Sequence, residues 1–346
     1  MTADSSQPPL LMSSGLMQAR MPRRQMLQLG LLLGVGSLAG CARAASPTLM
    51  AAPETLPLLW RRQLAKPWRL TPLQSQDPLL EGGLPTEADL VALPDGWAAS
   101  VKADAVQPLE AKALRSRLSG QADALLKMFP EPLAAAMLPV GVSPWVLLVR
   151  GEVPGKVAAA QGWDALVAPE LAGAVVLPAS PRLLISLAER MTAPQALQKL
   201  RSAALAFEDR HALNWLLQGK AKAAVLPLAR CMKTLRSDPR IQALLPDQGA
   251  PLDWTLLMRP AATREPLPQA WVEQAWQSPL LGRLLAEGWL PPLERSALQA
   301  EEAAVPSRLR SLVLPPESVW QRCWSLPPLS AAEAQQGADR WKASAP

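Results

Sequence analysis

The sequence predicts an α/β protein, because short, continuous apolar runs of strand length alternate with stretches of helical periodicity along most of the chain. Three runs carry the prediction: Trp145-Val146-Leu147-Leu148-Val149-Arg150, residues 173–177 and residues 221–226. Helical periodicity at 181–191, 194–203 and 211–218 separates the last two of these runs.

The remaining elements follow in order. Residues 48–50 read as a strand, 58–66 as a short helix and 68–70 as a second strand. The apolar run 88–93 ends at Pro94-Asp95-Gly96, a turn signal that closes a strand. Residues 110–128 are helical by period, and Gly162-Trp163-Asp164 opens a helical turn. Residues 254–258 resemble a buried strand, 268–287 a helix and 318–324 a last short helix. Val313, Trp320 and Trp324 supply apolar anchors for the Pro-rich stretch 314–328, which therefore reads as packed and irregular.

The amino terminus has the profile of an export signal. Arg23 and Arg24 stand directly before an apolar run at 27–38, and no Asp or Glu occurs between Asp4 and Glu54. A dozen apolar residues is too short to cross a hydrocarbon core of about 30 Å as a helix. Leu38-Ala39-Gly40-Cys41 resembles a lipobox, with Cys41 as the lipid acceptor, and the paired arginines resemble a twin-arginine signal. The expectation is an exported, lipid-anchored protein, with Met1 or Met21 as its start and general secretion as the alternative route.

Removing residues 1–40 takes away Arg20, Arg23, Arg24 and Asp4 and lowers the formal net charge from +6 to +4. The basic residues are dispersed, so nucleic acid is not an expected partner. Beyond Cys41 only Cys231 and Cys323 remain, either as one disulfide or as two buried thiols. Thirteen Trp, two Phe and no Tyr leave every amphipathic aromatic contact to tryptophan. His211 is the only histidine, and no nucleophile elbow, zinc-protease motif, phosphate loop or Cys-x-x-Cys occurs. No enzymatic activity, cofactor or metal is expected.

The stretch from Gly162 through Trp163, Leu166, Pro169 and Gly173 to Pro178 resembles a segment of the periplasmic spermidine/putrescine-binding proteins of ABC transporters, and Arg182 then opens a helix as in that family. Gly219-Lys220-Ala221, Leu256-Leu257-Met258-Arg259-Pro260-Ala261-Ala262 and Gly288-Trp289-Leu290-Pro291 are similar to further family motifs, in order. The resemblance implies a periplasmic-binding-protein-like (type II) fold with two α/β lobes. Lobe 1 would hold 41–145 plus about 251–325 and lobe 2 would hold 146–250, with crossings near Pro144-Trp145 and at 248–253, and 326–346 as a C-terminal segment. It also implies a monomer that binds a small-molecule ligand between the lobes and delivers it to ABC permease subunits, touching the membrane through its lipid anchor alone.

Seven residues are the expected ligand contacts: Asp95 and Trp97 after the first-lobe strand, Trp145 at the crossing, Ser180 at a helix start, Asp253 or Trp254 as register alternatives, and Trp289 in place of a family tyrosine. The chain departs from the family elsewhere. Ser180 and Leu183 replace an acidic pair, and Ala52-Pro53-Glu54 replaces an aromatic pair. A polyamine needs carboxylates for its ammonium groups and aromatic faces for its methylenes, so these changes argue against one. The absence of tyrosine also removes the iron ligands of the neighbouring ferric-binding branch. The alternative is a solute-binding fold that has lost its ligand and serves as an envelope scaffold or sensor subunit.

Overall fold

Nine strands among the described residues form one continuous sheet in a computed structural model that describes residues 46–346. The export-signal residues Arg23, Arg24 and Cys41 lie outside the described residues. β1 (Thr48–Ala51), β2 (Arg69–Pro72) and β3 (Leu90–Pro94) run parallel, and β9 (Leu252–Met258) joins β3 antiparallel. β5 (Val175–Leu177), β6 (Ala204–Phe207) and β7 (Ala223–Pro227) are also parallel to one another. The expectation of an α/β fold holds.

One strand belongs to both groups. β4 (Met137–Arg150) pairs with β9 from Met137 to Pro144, then with β7 and β8 (Ile241–Leu244) from Trp145 onward. The partner change divides the sheet into a first half (β1, β2, β3, β9) and a second half (β5, β6, β7, β8). The chain returns to the first half through residues 245–251, where the Trp163 indole donates to the Gly249 carbonyl at 2.8 Å. Gly249 has φ +81°, and a Cβ there would lie 2.3 Å from the Arg322 carbonyl oxygen, so only glycine fits. Trp324 runs beside this crossing: its amide donates to Ala250 and its carbonyl accepts from Leu252.

The first half of β4 escaped the sequence reading because Pro139, Gly141 and Pro144 interrupt its apolar pattern. The strand tolerates them through a bulge between Pro139 and Gly141, the setting in which a sheet accepts proline. The continuous helix expected at 268–287 is two, Gln269–Ala275 and Leu280–Ala286, because Pro279 lacks the amide that would continue the ladder. The helix expected at 110–128 is likewise split into Lys112–Arg115 and Gly120–Leu126, the latter capped by Ser119. Helices Glu152–Gln161, Leu228–Ser237 and Ala331–Ala343 were not anticipated. The last begins with a Ser330/Glu333 capping box, a signature legible in the sequence.

Tryptophan does the work its abundance suggests. Trp60 and Trp271 stack at 4.1 Å, and each indole donates to the other residue's carbonyl, at 2.9 and 3.1 Å. Buried polar tips thus find acceptors while the rings fill the core. Cys231 and Cys323 are buried and free, so of the two alternatives the structure holds separate thiols.

Candidate functional site

Every parallel strand but β2 delivers a charged or capping side chain just beyond its carboxyl end, where open α/β sheets place ligands. Glu54 follows β1, Asp95 follows β3, Ser180 and Arg182 follow β5, Asp209 follows β6 and Arg230 follows β7. Asp253 joins them because β9 runs antiparallel, so its amino end meets the carboxyl ends of its neighbours.

Asp95 is buried at the start of the short helix Asp95–Ala98, and its Oδ1 accepts from the Trp254 amide at 3.4 Å. Burial pushes its carboxyl up to about 6, against the lowering effects of that amide and of the Arg182 charge. Asp253 is half-buried, and its carboxyl is pushed up to about 7, first by loss of solvent and then by the Asp95 charge. Asp209 is also raised by burial, while its carboxylate accepts from the Ala179 amide. Two arginines face these acids. Arg182 is half-buried, with its basicity lowered by lost solvation and restored in part by Asp95, and its guanidinium donates to the Pro327 carbonyl. Arg230 pairs through Nε with Glu54 Oε2 at 3.0 Å and donates through Nη2 to the Asp209 carbonyl at 2.7 Å.

The Glu54–Arg230 pair spans the two halves of the sheet. Glu54 holds a left-handed backbone, φ 61°, uncommon for a residue with a side chain. Ser143, buried at the crossing in β4, donates to the Gly288 carbonyl at 3.2 Å and accepts from the Ala229 amide at 2.9 Å. It thereby fixes the helix Leu228–Ser237, which carries Arg230, against the first half. Beside this pair lies a cavity of about 440 Å³, lined by Glu54, Glu287 and Trp289 and, opposite, by Arg210, Arg230 and Lys233. A larger groove of about 850 Å³ at the β1–β2 edge shares none of these side chains.

The expected contacts divide. Asp95 and Asp253 come together, and Ser180 is exposed beyond β5, where its hydroxyl accepts from the Leu183 amide and caps Pro181–Ala188. Trp145 is half-buried at the point where β4 changes partner, and Trp97 packs half-buried against the core. Of the register alternatives, Asp253 faces the cluster. The Trp254 ring is 1% exposed and donates to Ser325 Oγ at 2.8 Å. Trp289 is 4% exposed, with its ring against Trp60, and lines the 440 Å³ cavity. His211 is exposed at the start of helix Ala212–Leu217 and does not line that cavity.

Glu54, Arg182, Asp209 and Arg230 were not among the expected contacts. The available signal was positional: each is among the first charged residues past an apolar strand. For Asp209 that signal needed β6, which the periodicity did not reveal, whereas for Arg230 it was present in the strand read at 221–226.

No family profile matches the sequence, and no curated protein matches it. Solved structures do share the fold. The spermidine/putrescine substrate-binding protein PotD of Streptococcus pneumoniae is 11% identical with a TM-score of 0.62, covering 86% of this chain and 98% of that one. The TpPotD lipoprotein of Treponema pallidum is 12% identical with a TM-score of 0.61, covering 86% and 99%. The apo ferric ion-binding protein A of Pasteurella haemolytica is 11% identical with a TM-score of 0.55, covering 80% and 96%. The fold is therefore periplasmic-binding-protein-like, and its structural neighbours include the substrate-binding proteins of spermidine/putrescine ABC transporters, as the ordered motifs implied.

Proposed function

We propose that this chain is the extracytoplasmic solute-binding component of an ABC importer, tethered to a membrane face by lipid on Cys41. The observation that carries the reading is the convergence of Asp95, Asp253 and Glu54 from the first half of the sheet with Arg182, Arg230 and Asp209 from the second. A site built from both sides of two chain crossings favours closure, because a ligand gains contacts in the closed state that the open state lacks. Residues 41–145 plus about 251–325 act as lobe 1 and 146–250 as lobe 2, hinged at Pro144-Trp145 and 245–251. The segment 326–346 rides on lobe 2, since Arg340 pairs with Glu189 at 2.7 Å and the Trp341 ring meets Phe207 edge-on at 5.4 Å.

The test is a panel of amines, amino acids, sugars and anions screened by thermal shift, with each hit followed by small-angle scattering. A hit that raises the melting temperature and lowers the radius of gyration supports the reading. Silence across the whole panel refutes a transport role and favours the ligand-free scaffold or sensor. Anchoring is tested separately: the native protein is expected in the detergent phase of a detergent partition and the Cys41→Ala variant in the aqueous phase. Replacing Arg23 and Arg24 by lysine blocks export if the twin-arginine route is used.

A further inference from the structure

The charges that line the cleft are sorted by side. In the 440 Å³ cavity the first half of the sheet and its helices contribute Glu54, Glu287, Pro57 and Trp289, with no base among them. The second half contributes Arg210, Arg230, Lys233 and Arg236, with no acid. The same sorting continues at the strand ends, where Asp95 and Asp253 of the first half stand opposite Arg182 and Arg230 of the second. Two acids lie on the second side at this end: Asp209, which accepts from the Ala179 amide and also acts on Asp253, and Glu208, which accepts from the Arg210 and His211 amides. The two sides meet directly in the Glu54–Arg230 pair at 3.0 Å. Trp289 lines the cavity with its ring, while the Nε1 edge is packed against Gly141 of β4.

We propose that the cleft takes a dipolar solute, a small molecule with an ammonium group at one end and a carboxylate at the other. This inference rests on the solute-binding reading above and names the class of its ligand. The ammonium faces Glu54 and Glu287, and the carboxylate faces Arg230, Arg210 and Lys233. Such a ligand inserts in series into the cross-cleft pair: its carboxylate takes the place of Glu54 on Arg230, and its ammonium takes the place of Arg230 at Glu54. Glu54 and Arg230 each keep an opposite partner. A dication of the same length satisfies the acids but leaves Arg230 without a counter-charge, and a dianion does the same to Glu54. The Glu54 side chain of this pair is 66% exposed, so the cost of a mismatch arises as the ligand and closure remove that solvent, and mismatched ligands are rejected by repulsion as well as by lost attraction.

Three matched series test it on the purified full-length chain, with no variant required: ω-amino acids of four to six carbons and the diamines and dicarboxylates of the same lengths, each measured by calorimetric titration. The expected result is that an amino acid binds at least tenfold more tightly than both its diamine and its dicarboxylate. Arg230→Gln is expected to weaken the amino acid at least tenfold while bringing the diamine closer to it, and Glu54→Gln to do the same for the dicarboxylate. A diamine or dicarboxylate that binds as tightly as its amino acid overturns the dipolar ligand while leaving the solute-binding function standing. No binding in any of the three series also overturns it, and the broader panel with scattering then decides the function itself.

Discussion

Asp95→Asn should make the protein more stable above pH 7 and leave it nearly unchanged near pH 4. The carboxyl is raised from an ordinary 3.8 to about 6, chiefly by burial. Between those values the folded chain holds a proton that the unfolded chain has released, so stability falls as the pH climbs through the window and the full loss is present above the folded value. At about 1.4 kcal/mol per pH unit the loss amounts to about 3 kcal/mol. Asparagine is a near-isosteric stand-in for the protonated acid, and its oxygen still accepts from the Trp254 amide, so the substitution removes the ionisation cost without opening a cavity. The attraction between Asp95 and Arg182 is already contained in the raised value. The gain at pH 8 is therefore about 3 kcal/mol, or roughly 6 °C for a chain of this size. Urea unfolding of both proteins at pH 4 and pH 8 measures it. A variant less stable than its parent at pH 8, or equally stabilised at both pH values, would refute the assignment of Asp95 as a buried carboxyl ionised at a cost. Asp253→Asn should act in the same direction, and the double variant should gain less than the sum, because the Asp95 charge is part of what raises Asp253.

Other expectations concern the frame around the site. Gly141→Ala would place a Cβ 1.9 Å from Trp289 Cζ2, and should cost at least about 2 kcal/mol in chemical denaturation, recovered in part by adding Trp289→Leu. Trp60→Phe removes the indole donor to the Trp271 carbonyl and shrinks the stack, and should lower stability by about 3 kcal/mol. The Cys231 thiol is pushed up to about 12 and the Cys323 thiol to about 11 by burial, so neither should be alkylated at pH 7.5 until the chain is unfolded, as peptide mass mapping would show.

The strands buried on both faces were the most legible elements, because an uninterrupted apolar run such as Val146 to Val149 has few other structural outcomes. Asp95 was legible for a related reason: it follows a clear strand at a turn. β6 and β8 were hidden because they lie at the sheet's margin, are mostly only partly buried and span four positions each, too short for a period to register. The tryptophans were legible only as aromatic positions. Trp254 is buried with its indole donating to Ser325, whereas Trp289, beside the Trp60 ring, is buried and still lines the 440 Å³ cavity.

By itself the sequence determined the α/β class, the order of the main strands, the export-signal expectation and, with Asp253 as one of two register alternatives, the acid pair, because each is written in local period, spacing, motif or charge. Only the tertiary structure decided what faces what. The partner change within β4 divides one sheet in two, and the antiparallel return of β9 carries Asp253 back to Asp95. The pairing of Glu54 with Arg230, 176 positions further along the chain, exists only because both strand ends open on the same crossing. Charge segregation across a cleft is a property of side chains brought together from opposite ends of the chain, and no local pattern encodes it.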